Sequence, residues 1–177
     1  MRPLIALCAA ATLAGAGSLA AQAPPASPMR QLDWLVGEWH GNGNMMIGPG
    51  RQHDASVVEH AEAHAGGHAL TLDGLGKALQ GRDSIVVHSA FAVIWHDAEA
   101  ARFRIKAFRA TGHTVDADIT VGDGSIVWGF DDPRAGRVRF TVTRTPEGRW
   151  HEVGEASRDG TTWMKFFEMS LARVGSP

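Results

Sequence analysis

From Trp39 onward, apolar and polar residues alternate with a period of two, interrupted at short intervals by clusters of Gly, Asp, Asn and Pro. Phe103, Ile105 and Ala107 stand opposite Arg102, Arg104 and Lys106, while Val138, Phe140 and Val142 stand opposite Arg137, Arg139, Thr141 and Thr143. Successive side chains of an extended strand point to opposite faces, so each such run predicts a strand with one buried and one wet face. Turn signals fall at Gly48-Pro49-Gly50, Gly66-Gly67, Gly81-Arg82-Asp83, His96 to Ala100, Thr111-Gly112, Gly122-Asp123-Gly124, Asp131 to Gly136, Thr145 to Gly148 and Asp159-Gly160. Those nine turns separate ten strands.

After Trp39 no stretch of eleven or more residues carries a 3.6-residue apolar period, and a parallel sheet needs crossover helices. The chain is therefore expected to be all-β: an up-and-down antiparallel barrel of about ten strands, closed on itself so that no edge is left unpaired. Gly74, Gly76, Gly129 and Gly154, inside strand patterns, suit the bends that closure requires. Ahead of the strands, Leu32-Asp33-Trp34-Leu35-Val36-Gly37-Glu38-Trp39 reads as a short helical turn carrying Leu32 and Leu35 that runs into the first strand and plugs one end. An eight-stranded barrel already holds one small ligand, so ten strands imply a cavity.

The beginning of the chain changes the compartment rather than the fold. Arg2, the apolar and small-residue run Leu4 to Leu19, and Ala21-Gln22-Ala23 have the form of a signal peptide spanning residues 1–23, which directs the protein to the periplasm or outside the cell. The run is too short and too rich in Ala and Gly for a membrane span. Residues 24–29 are expected to be a disordered leader and 30–175 the barrel domain. Of 17 Lys and Arg and 19 Asp and Glu in the 177 residues, only Arg2 leaves with the signal, so the mature 154 residues carry a net −3. This is no footprint for nucleic acid. Cys8, the one cysteine, leaves as well, so the mature fold rests on burial and sheet hydrogen bonds without disulfides.

Gly37-x-Trp39 at the head of the first strand, the short helix before it, and a closing hairpin Trp150-His151-Glu152 … Ser157-x-Asp159-Gly160-x-x-Trp163 resemble the lipocalin-like (calycin) group. Within it the closest resemblance is to a family of secreted bacterial domains of unknown function, over most of residues 30 to 173. The resemblance implies a closed barrel with a pocket and no particular chemistry, because ligands differ widely across the group. Haem-binding barrels of the nitrobindin type form a related branch, but their haem-ligand histidine motif has no residue-by-residue match here, so no iron ligand is carried over.

Among chemistry-bearing residues, His60, Glu62 and His64 share a strand face, yet residues four apart on a strand lie about 13 Å apart, too far for one ion. They are expected on the solvated side, with no metal assigned. The same alternation turns Val57, Glu59, Ala61 and Ala63 inward and makes Glu59 an acid among apolar neighbours. Glu152, sharing a face with Trp150, and Glu168, sharing one with Met164 and Phe166, are two more candidate cavity acids. His88 lies on the Val86, Ala90, Ala92 and Ile94 face of a strand whose other face is equally apolar, which suggests a strand covered on both sides or a dimer contact. Trp39 and Trp128 are expected to be barrel packing, with a pocket wall as a second role. Nucleophile elbows and phosphate-binding loops are absent from the sequence: there is no G-x-S-x-G, and Gly76-Lys77 is followed by Ala78.

These residues point to a secreted barrel, monomer or homodimer, that binds a small apolar or amphipathic molecule through Trp39, Glu59, His88, Trp128, Glu152 and Glu168, with no cofactor assigned. An alternative is an acid–base enzyme of isomerase or lyase type, in which an inward glutamate moves a proton with His88 as partner. A third reading, a haem-binding barrel, requires a histidine pointing into an otherwise apolar cavity.

Overall fold

The computed structural model describes residues 26–48 and 50–175. The expected signal peptide, residues 1–23, and with it Cys8, lies outside the described residues. A 3₁₀ helix, Pro28–Leu35, precedes ten strands: β1 Gly37–Gly48, β2 Arg51–His64, β3 Ala69–Gln80, β4 Asp83–Asp97, β5 Arg102–Arg109, β6 Thr114–Gly122, β7 Ser125–Asp132, β8 Gly136–Arg144, β9 Trp150–Ser157 and β10 Met164–Val174. Every strand pairs antiparallel with its sequence neighbour, and β1 pairs with β10 to close the barrel. All nine expected turns fall between these strands.

Alternation decides which side chains fill the barrel. Ile105 and Ala107 are buried, while Arg102, Arg104 and Lys106 form an outer ladder with Asp116 and Asp118 on β6, including Arg102 to Asp118 at 2.9 Å and Lys106 to Asp116 at 3.8 Å. Exposed pairs of this kind contribute about 0–1 kcal/mol each. The second apolar face expected on β4 is not covered throughout: Phe91 is 42% exposed, and Val87, equally exposed, is turned onto the cavity. Among the described residues no helix is long and apolar enough to cross a membrane.

One end of the barrel is closed by the 3₁₀ helix. Met29, Leu32 and Leu35, spaced three apart, fall on one stripe of a helix with three residues per turn, and all three are buried. The helix starts earlier than the leader expected over 24–29 allows, because Ser27 caps it by accepting from the Met29 amide and Met29 belongs to the core.

Trp39 joins the plug to the sheet. Its indole nitrogen donates to the Leu35 carbonyl at 2.7 Å, and its ring meets Trp150 edge-on at 5.9 Å. Arg173, its partner in the register with β10, lies over the other side of the ring at 4.2 Å and donates to the carbonyls of Trp34 and Val36 at the end of the helix. Gly37 has φ +132°, a conformation side chains rarely adopt, and a Cβ there would collide with the Arg173 guanidinium. The glycine and the tryptophan of Gly37-x-Trp39 thus serve the same clamp.

Trp39→Ala is expected to cost about 3–5 kcal/mol, the range for removing a buried large aromatic, whereas Leu79→Ala on the exposed rim should stay within about 0.5 kcal/mol. Urea denaturation of the two variants checks this. A loss under about 1 kcal/mol for Trp39→Ala would show that the plug holds without it.

Candidate functional site

Above the plug the barrel encloses a cavity of about 710 Å³. Leu35 forms its floor, and the far end opens between the β1–β2, β3–β4 and β9–β10 loops, where Met46, Ile47, Leu79, Val86 and Met164 are exposed. Most of the lining is apolar, as expected for a site that strips water from its ligand.

One wall is aromatic. Trp128 on β7 stacks on Phe140 of β8 at 4.7 Å and 16° and on Phe130 at 6.1 Å, and Phe140 meets Phe166 and Phe167 of β10 edge-on. Gly154 makes room for this cluster, since a Cβ there would stand 2.9 Å from Phe140 and 3.0 Å from Phe167.

The acids sit toward the closed end. Glu59, paired in register with Trp39 and Gly74, is 9% exposed and lines the cavity. Its carboxyl lies over Gly74, where a Cβ would come within 2.5 Å of an oxygen. No hydrogen bond or ion pair to Glu59 forms among the described residues. Burial pushes its pKa up to about 8, and the charges of Glu152 and Asp73 add to the rise. Glu152 on β9 lines the same cavity; burial pushes it up to about 7, opposed by the hydrogen bond its carboxyl accepts from the Trp150 indole at 3.3 Å. Two carboxyl groups with no cation against them therefore share a poorly hydrated space.

Basic groups lie at the other pole, together with Asp132 at the end of β7. Arg109 ends β5 at the mouth and His53 lies near the start of β2; both line the cavity, as does His88. Burial lowers the pKa of His88, and the nearby Arg109 lowers it further. His88 makes no hydrogen bond to Glu59 or Glu152 among the described residues, so the glutamate–histidine contact required for proton transfer is not formed.

Of the six residues singled out from the sequence, Glu59, His88, Trp128 and Glu152 line the cavity, and Trp39 and Glu168 do not. Trp39 lies beneath the floor, enclosed by the plug, Trp150 and Arg173. Glu168 is displaced by a bulge: β10 shifts register between Lys165 and Phe167, and past a one-residue insertion the inward face changes parity. Phe166 and Phe167 both line the cavity, Met169 follows inward, and Glu168 turns out to pair with Lys165 and with His151 at 3.0 Å, which lower its pKa. A second bulge, in β4, separates Val86 from the His88 face and leaves it 57% exposed. Ala63, expected inward, is exposed near the end of β2. His60, Glu62 and His64 lie on the exposed outer face, with Glu62 3.9 and 3.6 Å from the two imidazoles, and no group of three or more potential metal ligands forms among the described residues. Sequence reasoning missed Arg109, His53 and the phenylalanines of the wall. Phe130 and Phe140 were open to the alternation that found Trp128.

These features define a closed ten-stranded antiparallel barrel with a cavity open at one end. No protein-family model matches the sequence, and no curated protein matches it significantly. Among solved structures it is similar to Rv2717c from M. tuberculosis, with a TM-score of 0.61 and 16% identity over 84% of this chain and 99% of that one. It is also similar to the S-type phycobiliprotein lyase CPES from Guillardia theta, with a TM-score of 0.58 and 13% identity over 86% of this chain and 96% of that one. At these identities the likeness is one of fold alone.

The buried acid has a measurable signature. Glu59 ionises near 4.5 in the unfolded chain and near 8 in the barrel. Stability from this group is full below pH 4.5 and is lost as pH rises through 8, with a slope of up to about 1.4 kcal/mol per pH unit. Glu152 adds to the slope between 4.5 and about 7. Glu59→Gln removes the first contribution, so the variant should gain on wild type as pH rises from 5 to 7.5 in urea denaturation. Parallel stability curves for the two proteins would mean that Glu59 is hydrated.

Proposed function

We propose that this is a secreted, lipocalin-like binding barrel that takes a small, largely apolar molecule into its cavity, with Trp128 as a wall and Glu59, Glu152 and His88 as the polar groups that orient it. The cavity of about 710 Å³, closed by the plug and walled by aromatic and aliphatic side chains, carries this reading. Export is supported by the form of residues 1–23. The exposed apolar rim supports entry of an apolar molecule from the mouth.

One observation favours a second reading. Glu59 and Glu152 both have pKa values near neutrality in one pocket, as general acid–base catalysis requires. Native mass spectrometry of protein purified from its own periplasm identifies a co-purifying ligand by mass, and incubating that ligand with fresh protein shows whether it is converted.

Binding itself is tested with Nile red, a neutral apolar dye. Wild type should bind one dye per chain with a rise in emission, and Ala55→Trp, which fills part of the cavity, should bind at least tenfold more weakly with an unchanged far-UV spectrum. Equal binding by both proteins would place the dye on the outside and remove the support for a cavity site. A Soret band on adding haem would point instead to the haem-binding reading.

A further inference from the structure

Two carboxyl groups at the dead end of an apolar cavity are costly to ionise, and among the described residues neither is supplied with a cation. Glu59 is more than nine-tenths buried, has no hydrogen-bond partner among the described residues, and faces the cavity. Glu152 has one partner, the Trp150 indole. The charged and titratable groups around the pair are Asp73, which follows Leu72 on β3 and adds negative charge, and Arg109, His53, His88 and Asp132, which line the cavity toward its mouth. A buried polar group left without a partner is the exception in folded proteins and calls for an explanation.

We propose that the closed end of the cavity binds the protonated amino group of a hydrophobic amine between Glu59 and Glu152, while the Trp128, Phe130 and Phe140 wall takes its flat apolar body. This rests on the cavity being a binding site and specifies what it selects. An ammonium group has three donors and no acceptor, matching two acceptor carboxylates, and its attraction to them is strong where water is excluded. A carboxylate ligand would bring negative charge to a pole where the described residues offer no cation, and an alcohol would leave the carboxyl groups underused. The aromatic rings stack within 29° of one another, and a planar ring system extends such a stack better than a flexible chain does.

Binding has a proton balance. At pH 7 Glu59 is mostly protonated, Glu152 is about half protonated and the amine arrives as its ammonium ion; the ion pairs form when the carboxyl protons of both residues leave to buffer, with no other bond made or broken.

The test compares three probes of one shape by calorimetry at pH 7: 2-(aminomethyl)naphthalene, 2-naphthalenemethanol and 2-naphthoate. The amine should bind at least tenfold more tightly than the alcohol, the carboxylate most weakly, and titrations in buffers of different ionisation enthalpy should show proton release with the amine alone. Glu59→Gln should weaken the amine about tenfold, leave the alcohol within twofold and reduce the proton release to the share that comes from Glu152; Glu152→Gln should weaken the amine in the same direction. Alcohol binding by both variants shows that their cavities are intact. Equal affinity for amine and alcohol, tighter binding of naphthoate, or equal loss of both probes in Glu59→Gln would overturn the amine site. If wild type binds the alcohol without preferring the amine, only this inference falls; if it binds none of the three, the cavity-binding reading falls with it.

Discussion

Everything inside this barrel depends on one end being shut. Ten antiparallel strands closed on themselves enclose a tube wider than their own side chains fill, and an open tube would admit water from both ends. The clamp at Trp39 prevents that. The last strand contributes Arg173, the helix contributes the Leu35 carbonyl and its buried stripe, and the first strand contributes the tryptophan that both of them hold. Because Arg173 and Trp39 are register partners across the β1–β10 seam, the contact that seats the plug also lies on the seam that closes the barrel. Plug and closure are coupled in one place.

Closure then sets the chemistry. A carboxylate in a flooded tube would be ordinary; above a dry floor its neutral form is favoured. The polar groups of the cavity sit at its two ends, with Glu59 and Glu152 near the floor, Arg109, His53 and Asp132 near the mouth, and aromatic and aliphatic walls between them. Arg109 at the opposite pole does not neutralise the acids, and its effect is felt at His88, whose protonation it disfavours. The two poles and the wall define an orientation for anything that enters, independent of its identity.

Much of this was legible in the sequence, and the residues that were not share physical causes. Turns announce themselves locally through Gly, Asp and Pro, and alternation reports the inward face wherever register is regular; hence all ten strands and the inward placement of Glu59 could be read directly, with Glu152 as a candidate beside it. Glu168 could not, because one inserted residue at Phe166 reverses parity and nothing local marks it. Arg173 was invisible for another reason: its partners Val36 and Trp34 lie 137 and 139 residues away, a separation across which alternation carries no information. Met29 looked like leader because Pro and Ser surround it, yet Pro is tolerated in the first turn of a helix and Ser is a favoured cap, so the same residues specify the start of the plug.

The three register irregularities are not scattered. They fall between Met46 and Gly48 in β1, opposite Gly76 and Lys77 in β4, and between Lys165 and Phe167 in β10, all toward the mouth, while pairing around the clamp is regular. The extra residues are Ile47, Val87 and Phe166, each apolar and each lining the cavity. A bulge bends its strand and re-aims a side chain, so three bulges around one opening shape the rim and supply apolar surface there without disturbing the register below. The two ends thus obey different constraints. The floor needs strict pairing to hold a tryptophan, an arginine and a helix in contact, whereas the mouth departs from pairing where extra apolar side chains are turned onto the route inward.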